Sequence, residues 1–259
     1  RVEDTNDADI FRVSGRGELH LTILLENMRR EGFEMAVAKP RVVYKEINGE
    51  KCEPYENLTI DLEDGHQGAI MEEIGRRRGE LVNMESDGMG RTRLEYHIPA
   101  RGLIGFQSDF MTMTRGTGLM SHVFDDYAPV KPDMPGRHNG VLISQENGEA
   151  VAYALWNLED RGRMFVSPGD KLYEGMIIGI HSRDNDLVVN PIKGKKLTNV
   201  RASGTDEAVR LTTPIKLTLE SAVEFIDDDE LVEITPQSIR LRKRYLTENE
   251  RKRMSKVES

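Results

Sequence analysis

Between Asn57 and Phe124 the spacing of apolar residues switches between a period of two and one of roughly three and a half, and this constrains the fold most. Asn57–Glu63 (NLTIDLE) alternates as a half-buried strand does, and His66–Gly79 (HQGAIMEEIGRRRG) reads as a helix that stops at Gly79. Glu80–Ser86 and Arg91–Pro99 form a hairpin around Asp87-Gly88, a strong turn pair. Arg101–Gly116 (RGLIGFQSDFMTMTRG) predicts a second helix, closed by Gly116 or Gly118, and Gly118–Phe124 a last strand. The order βαββαβ is the split βαβ, or ferredoxin-like, plan.

A shorter version precedes it. Asp9–Ser14 alternates, Leu21, Leu24, Leu25 and Met28 mark one helix face, Gly32 sits where that helix would end, and Phe33, Met35 and Val37 alternate again. Arg16-Gly17 corresponds to Arg101-Gly102, a weak internal repeat. Only the second half of a ferredoxin-like domain is spelled out, and the first residue is not Met, so the sequence reads as a fragment. Half a domain would leave one side of the Leu21–Met28 helix uncovered. Residues 1–46 are therefore expected to pack on the domain that follows or to self-associate.

From about Pro129 the texture changes. Tyr127–Gly140 reads as a Pro/Gly linker. Short apolar segments follow at Gly140–Ser144, Ala150–Trp156, Met176–His181, Leu187–Val189 and Glu207–Leu211, a β-rich pattern. Thr218–Ile226 predicts a helix capped by Thr218, Glu230–Arg244 a hairpin, and Thr247–Lys256 a solvated terminal helix. The fold class is α+β. It comprises part of a ferredoxin-like domain (1–46), a complete one (47–128), and a β-rich C-terminal domain with a few helices (129–259).

Charge narrows the functions. A formal net charge of -9 argues against nucleic-acid binding over the whole surface, though not against a local basic patch. One cysteine, Cys52, excludes a disulfide framework or a Cys-based zinc site within one chain. No apolar run approaches the ~20 residues of a membrane span, and no signal peptide is readable, so a cytoplasmic protein is expected. A phosphate-binding loop is not visible, since Gly194-Lys195 lacks the upstream Gly and the following Ser or Thr. Gly15–His20 begins like a dinucleotide fingerprint but lacks its third Gly. The six histidines are scattered without an i, i+4 pair or a nearby ligand cluster, so neither a metal site nor a catalytic constellation is expected.

Three cationic features stand out. Asn190–Gly204 (NPIKGKKLTNVRASG) holds Lys193, Lys195, Lys196 and Arg201 with no acidic residue. Such a loop suits backbone phosphates, or is simply a solubilising tip. Arg76, Arg77 and Arg78 end a helix, where cations are favourable anyway. Arg240–Lys256 carries eight Lys or Arg against two Glu, which also offsets the acidic Glu224–Glu233 segment beside it.

These stretches bear a resemblance. GRGELHLTILLENMRREGFE (Gly15–Glu34) is similar to domain III of translational GTPases related to elongation factor G. GAIMEEIGRRRGEL (Gly68–Leu81) and IPARGLIGFQSDFMTMTRGTG (Ile98–Gly118) are similar to their domain V. GIHSRDNDLVVN (Gly179–Asn190), GKKLTNVRASGTDEAV (Gly194–Val209) and AVEFIDDDELVEITPQSIRLRKRYLTENERKR (Ala222–Arg253) resemble the C-terminal domain particular to the TypA/BipA family. The resemblance implies ribosome-stimulated GTP hydrolysis by a domain absent from this sequence, with GTP and Mg there and no cofactor here. It implies a role in translation regulation, stress response or ribosome assembly. The implied partners are large-subunit rRNA, A-site tRNA near the peptidyl-transferase region, and stalk-base proteins. RNA contact is implied at Lys193, Lys195, Lys196, Asn199 and Arg201. Arg76, Arg77, Arg78, Arg240, Arg242, Lys243 and Arg244 are secondary candidates. The alternative is a protein-docking module in which the basic loop is incidental.

Overall fold

The computed structural model describes residues 1–132, 134, 136–193 and 210–258, in two units: Pro40–Gly136, and Arg1–Lys39 together with Arg137–Ser259. The chain opens with a two-stranded ribbon, β1 (Val2–Asp4) and β2 (Phe11–Val13), then α1 (Glu18–Arg30) and β3 (Met35–Ala38). The Pro40–Gly136 unit follows as β4 (Lys45–Ile47), β5 (Glu50–Glu63), α2 (Gln67–Arg76), β6 (Glu80–Ser86), β7 (Arg91–Pro99), α3 (Ala100–Leu103), α4 (Phe106–Met113) and β8 (Leu119–Pro129). Its strands lie in the order β6-β7-β5-β8, all antiparallel, and β4 pairs with the start of β5. This is the ferredoxin-like plan.

The alternation explains the layering. Leu58, Ile60 and Leu62 of β5 and Leu94, Tyr96 and Ile98 of β7 occupy every second position and are buried beneath Ile70, Ile74, Phe106 and Phe110 of the helices. A clasp closes the far end. The Glu53 carboxylate, fully buried, accepts from Arg101 Nε (2.5 Å) and Nη2 (2.9 Å) and from the Lys131 amide (2.9 Å), while Arg101 Nη2 also donates to Lys131 O (2.6 Å).

The single helix expected over Arg101–Gly116 is broken. Ile104 is extended and Gly105 takes φ 73°, a left-handed conformation that glycine adopts without strain. Arg77 Nη1 compensates by donating to the Gly102 (2.9 Å) and Ile104 (3.0 Å) carbonyls left open at the break. Gly102 allows that approach, since a Cβ there would lie 2.6 Å from Arg77 O. The linker expected from Tyr127 also begins later, because β8 runs on to Pro129.

The second unit continues with β9 (Val141–Ser144), β10 (Gly148–Glu149), α5 (Ala152–Leu158), β11 (Gly162–Met164), β12 (Lys171–Leu172), β13 (Met176–His181), β14 (Leu187–Val189), α6 (Leu219–Phe225), β15 (Glu230–Ile234), β16 (Ile239–Lys243) and α7 (Glu248–Glu258). One sheet runs β14-β9-β13-β16-β15-β3, with β11 also on β13. The unbroken apolar runs Val141–Ile143 and Met176–Ile178 are its central strands, covered on both faces. Val141, Ile143, Ile177 and Leu241 pack under α6, and Leu142, Met176 and Ile178 pack with Leu155 of α5.

Two expectations are corrected here. Ala150–Trp156, grouped among the short β segments, contributes to helix α5, whose Ala-rich run favours that state and is too short to show its period. Residues 1–39 belong with the C-terminal residues rather than with the domain that follows them. Strand β3 adds to the free edge of β15 (Met35 opposite Ile234, Val37 opposite Val232), and Leu25, Met35 and Val37 join the core under α6. An open edge strand is a strong pairing template, and this one is used. Leu19 and Ile23 of α1 remain exposed.

The cap read at Thr218 is present in full. Thr218 Oγ1 accepts from the Ser221 amide (3.2 Å), and Ser221 Oγ accepts from the Thr218 amide (2.9 Å). Thr218→Ala is expected to cost about 1 kcal/mol, seen as a lower urea midpoint at unchanged denaturant slope.

Candidate functional site

The basic loop leaves the fold at β14. Asn190 Oδ1 accepts from the Ile192 and Lys193 amides (both 3.0 Å), an Asx turn that fixes the exit, and Val151 N donates to Pro191 O (3.0 Å). Where the described chain resumes, Thr212 N donates to Glu159 Oε1 (2.5 Å) and Ile215 N to Met164 O (2.8 Å). The loop thus has an anchored stem on both sides. Lys193, 74% exposed, makes one surface ion pair to Glu146 (3.5 Å), too weak to hold it from another anion. Lys195, Lys196, Asn199 and Arg201 lie outside the described residues.

The helix-end arginines serve the fold. Arg76 Nε (2.9 Å) and Nη2 (2.6 Å) grip Glu73, and Arg77 Nε reaches the same carboxylate (2.6 Å). Burial raises the Glu73 pKa, but the two guanidinium hydrogen bonds prevail and hold it down at about 2. Arg77 also donates to Asp109 Oδ2 (2.7 Å) and lies over the Phe106 ring. Arg78 takes a positive φ of 66° at the turn into β6.

The β16 cluster divides by the pleat. Lys243, like Leu241 two positions before it, points inward. Its ammonium, 3% exposed, meets Asp186 (2.6 Å), Asp229 (2.9 Å) and Glu230 (3.0 Å). Burial lowers its pKa, and the three carboxylates more than reverse that. Lys243 is therefore withdrawn from the candidate RNA contacts, because a charge so paired has no donor left for phosphate. Arg242 donates to the carbonyls that follow it, at Lys243 and Arg244, and Arg244 donates to Asp228 O. Arg240, across from Glu233, keeps a buried Nε without a hydrogen-bond partner among the described residues.

One grouping is not visible in the spacing of the histidines. His97 is not far from every potential ligand: its Nε2 lies 3.4 Å from both Asp125 Oδ2 and Asp126 Oδ1. Adjacent aspartates on a strand should face opposite ways, so the sequence hides this meeting.

Residues 50–138 match the model described as Elongation factor G C-terminus, which defines a module of the translation-factor class. Residues 139–248 match the TypA/BipA C-terminal domain directly after it, and the chain belongs to the TypA/BipA family. It is 64% identical over 258 residues to the "Large ribosomal subunit assembly factor BipA" of Escherichia coli (strain K12), covering 99% of this chain and 42% of the relative. Proteins of the same description from Salmonella typhimurium (63%) and Haemophilus influenzae (60%) align over the same shares. The chain thus spans 42% of the length of the curated relatives it matches. Among the described residues no helix is long and apolar enough to cross a membrane.

Proposed function

We propose that this chain is the ribosome-engaging portion of a cytoplasmic translational GTPase that acts on the large subunit. The observation that carries the reading is the order of two family domains across residues 50–248, within a chain 64% identical to a protein named as a large ribosomal subunit assembly factor. In this reading the loop bearing Lys193, Lys195, Lys196, Asn199 and Arg201 meets large-subunit rRNA and the A-site tRNA, and the 47–128 domain faces the stalk base. Arg240, Arg242 and Arg244 add a second cationic strip, whereas Arg76 and Arg77 serve chiefly the fold. An acidic body restrains indiscriminate RNA binding while a small basic loop meets phosphates already positioned by shape. GTP and Mg belong to family regions outside this sequence, and the chain itself performs no catalysis.

Co-sedimentation with purified large subunits tests this at two salt concentrations, wild type beside Lys193→Ala/Lys195→Ala/Lys196→Ala/Arg201→Ala. Binding should weaken with salt, and each phosphate contact removed should flatten the log–log slope by about 0.7–0.9. Binding with the same slope in the variant would favour the other reading, docking to ribosomal protein with the loop incidental.

A further inference from the structure

The geometry points to a divalent transition-metal site, zinc foremost, held by His97, Asp125 and Asp126 on the sheet of the Pro40–Gly136 unit. It is independent of the ribosome reading. Strand β8 carries a bulge: Pro54 pairs with Tyr127 and Glu56 with Phe124, so Asp125 and Asp126 together oppose the single residue Tyr55. The bulge lets two consecutive carboxylates approach one imidazole. The imidazole is itself fixed, because its ring stacks on buried Tyr55 at 4.7 Å and 24°, and the Tyr55 hydroxyl is tied to Pro129 O (3.1 Å).

The distances argue for an ion between these groups. His97 Nε2 is buried and has no hydrogen-bond partner among the described residues, and 3.4 Å to each carboxylate oxygen exceeds the usual N–H···O range. Metal–ligand bonds of about 2.0–2.1 Å in a tetrahedron give ligand–ligand edges of about 3.3–3.4 Å. The three ligand atoms all lie within 4.8 Å of one another, so a modest shift of the second aspartate completes the set. One imidazole nitrogen and two carboxylates suit zinc and its neighbours better than magnesium or calcium, which prefer oxygen alone. Glu80, opposite His97 in the register, is engaged by Lys131 and stays outside the set. The fourth position is left for water, Asp125 and Asp126 being 44% and 59% exposed.

Calorimetric titration of the whole chain with zinc chloride is expected to show one saturable site. His97→Gln and Asp126→Asn should each weaken it by at least about tenfold, with far-UV circular dichroism unchanged. Cobalt should give the intense visible bands of tetrahedral coordination, lost in both variants. Absence of saturable zinc uptake overturns the proposal, as does uptake indifferent to both substitutions or only the weak cobalt bands of an octahedral ion. Should His97→Gln disturb the stacked ring and the fold, Asp126→Asn, at an exposed position, decides alone.

Discussion

Glu230→Ala should lower the stability of the C-terminal unit by about 3–5 kcal/mol, the usual consequence of stranding buried partner charges. The fully buried carboxylate accepts from Arg137 Nη1 (2.7 Å) and Nη2 (2.9 Å), from Lys243 Nζ (3.0 Å) and from the Asp227 amide (2.8 Å). Removing it leaves a lysine that is almost wholly buried with two outer aspartates only, and an arginine without its bidentate partner. A domain's whole stability is only about 5–15 kcal/mol, so the variant should stand near its folding limit. Trp156, the single tryptophan, lies in this unit and gives a local readout of urea unfolding. Glu230→Gln, which keeps the shape and loses the charge, should fall between. A wild-type midpoint for Glu230→Ala would mean the network contributes nothing net.

Arg101→Met should be nearly as costly in the ferredoxin-like unit, again about 3–5 kcal/mol, because the buried Glu53 carboxyl would be left with little beyond the Lys131 amide as a partner. Hydrogen exchange of β5 and β7 amides reports that unit directly. The decisive comparison is the pair. If the penalty is the stranded charge, Glu53→Met/Arg101→Met should recover most of the loss, since replacing a buried pair by apolar side chains is often neutral. Additive losses would instead indicate that the arginine acts by packing alone.

Much of this architecture was legible because period and punctuation agree. The βαββαβ unit follows from alternation in β5 and β7 and from the Asp87-Gly88 turn, and α6 follows from Thr218. Three failures share one cause, dependence on residues far away in the chain. The break at Gly105 needs Arg77 to satisfy the freed carbonyls, and nothing local announces it. The pairing of β3 with β15 joins residues almost two hundred positions apart. His97 meets Asp125 and Asp126 through a bulge that the pattern of FDDY does not disclose. Lys243 is different, since its burial could have been read. In Ile239–Lys243 a lysine two positions after a core leucine faces the same way, and the run of positive charge concealed that alternation.

The edge strand β3 bears on how the chain acquires its structure during synthesis. Its four residues emerge almost two hundred positions before the strand they complete, Glu230–Ile234. The Pro40–Gly136 unit interrupts the other one and is finished in between, so it can fold while the first thirty-nine residues still lack their partner. The larger sheet must then close a loop of almost two hundred residues, an entropically slow step. Until it closes, β3 and the apolar positions of α1 are open to any passing strand edge.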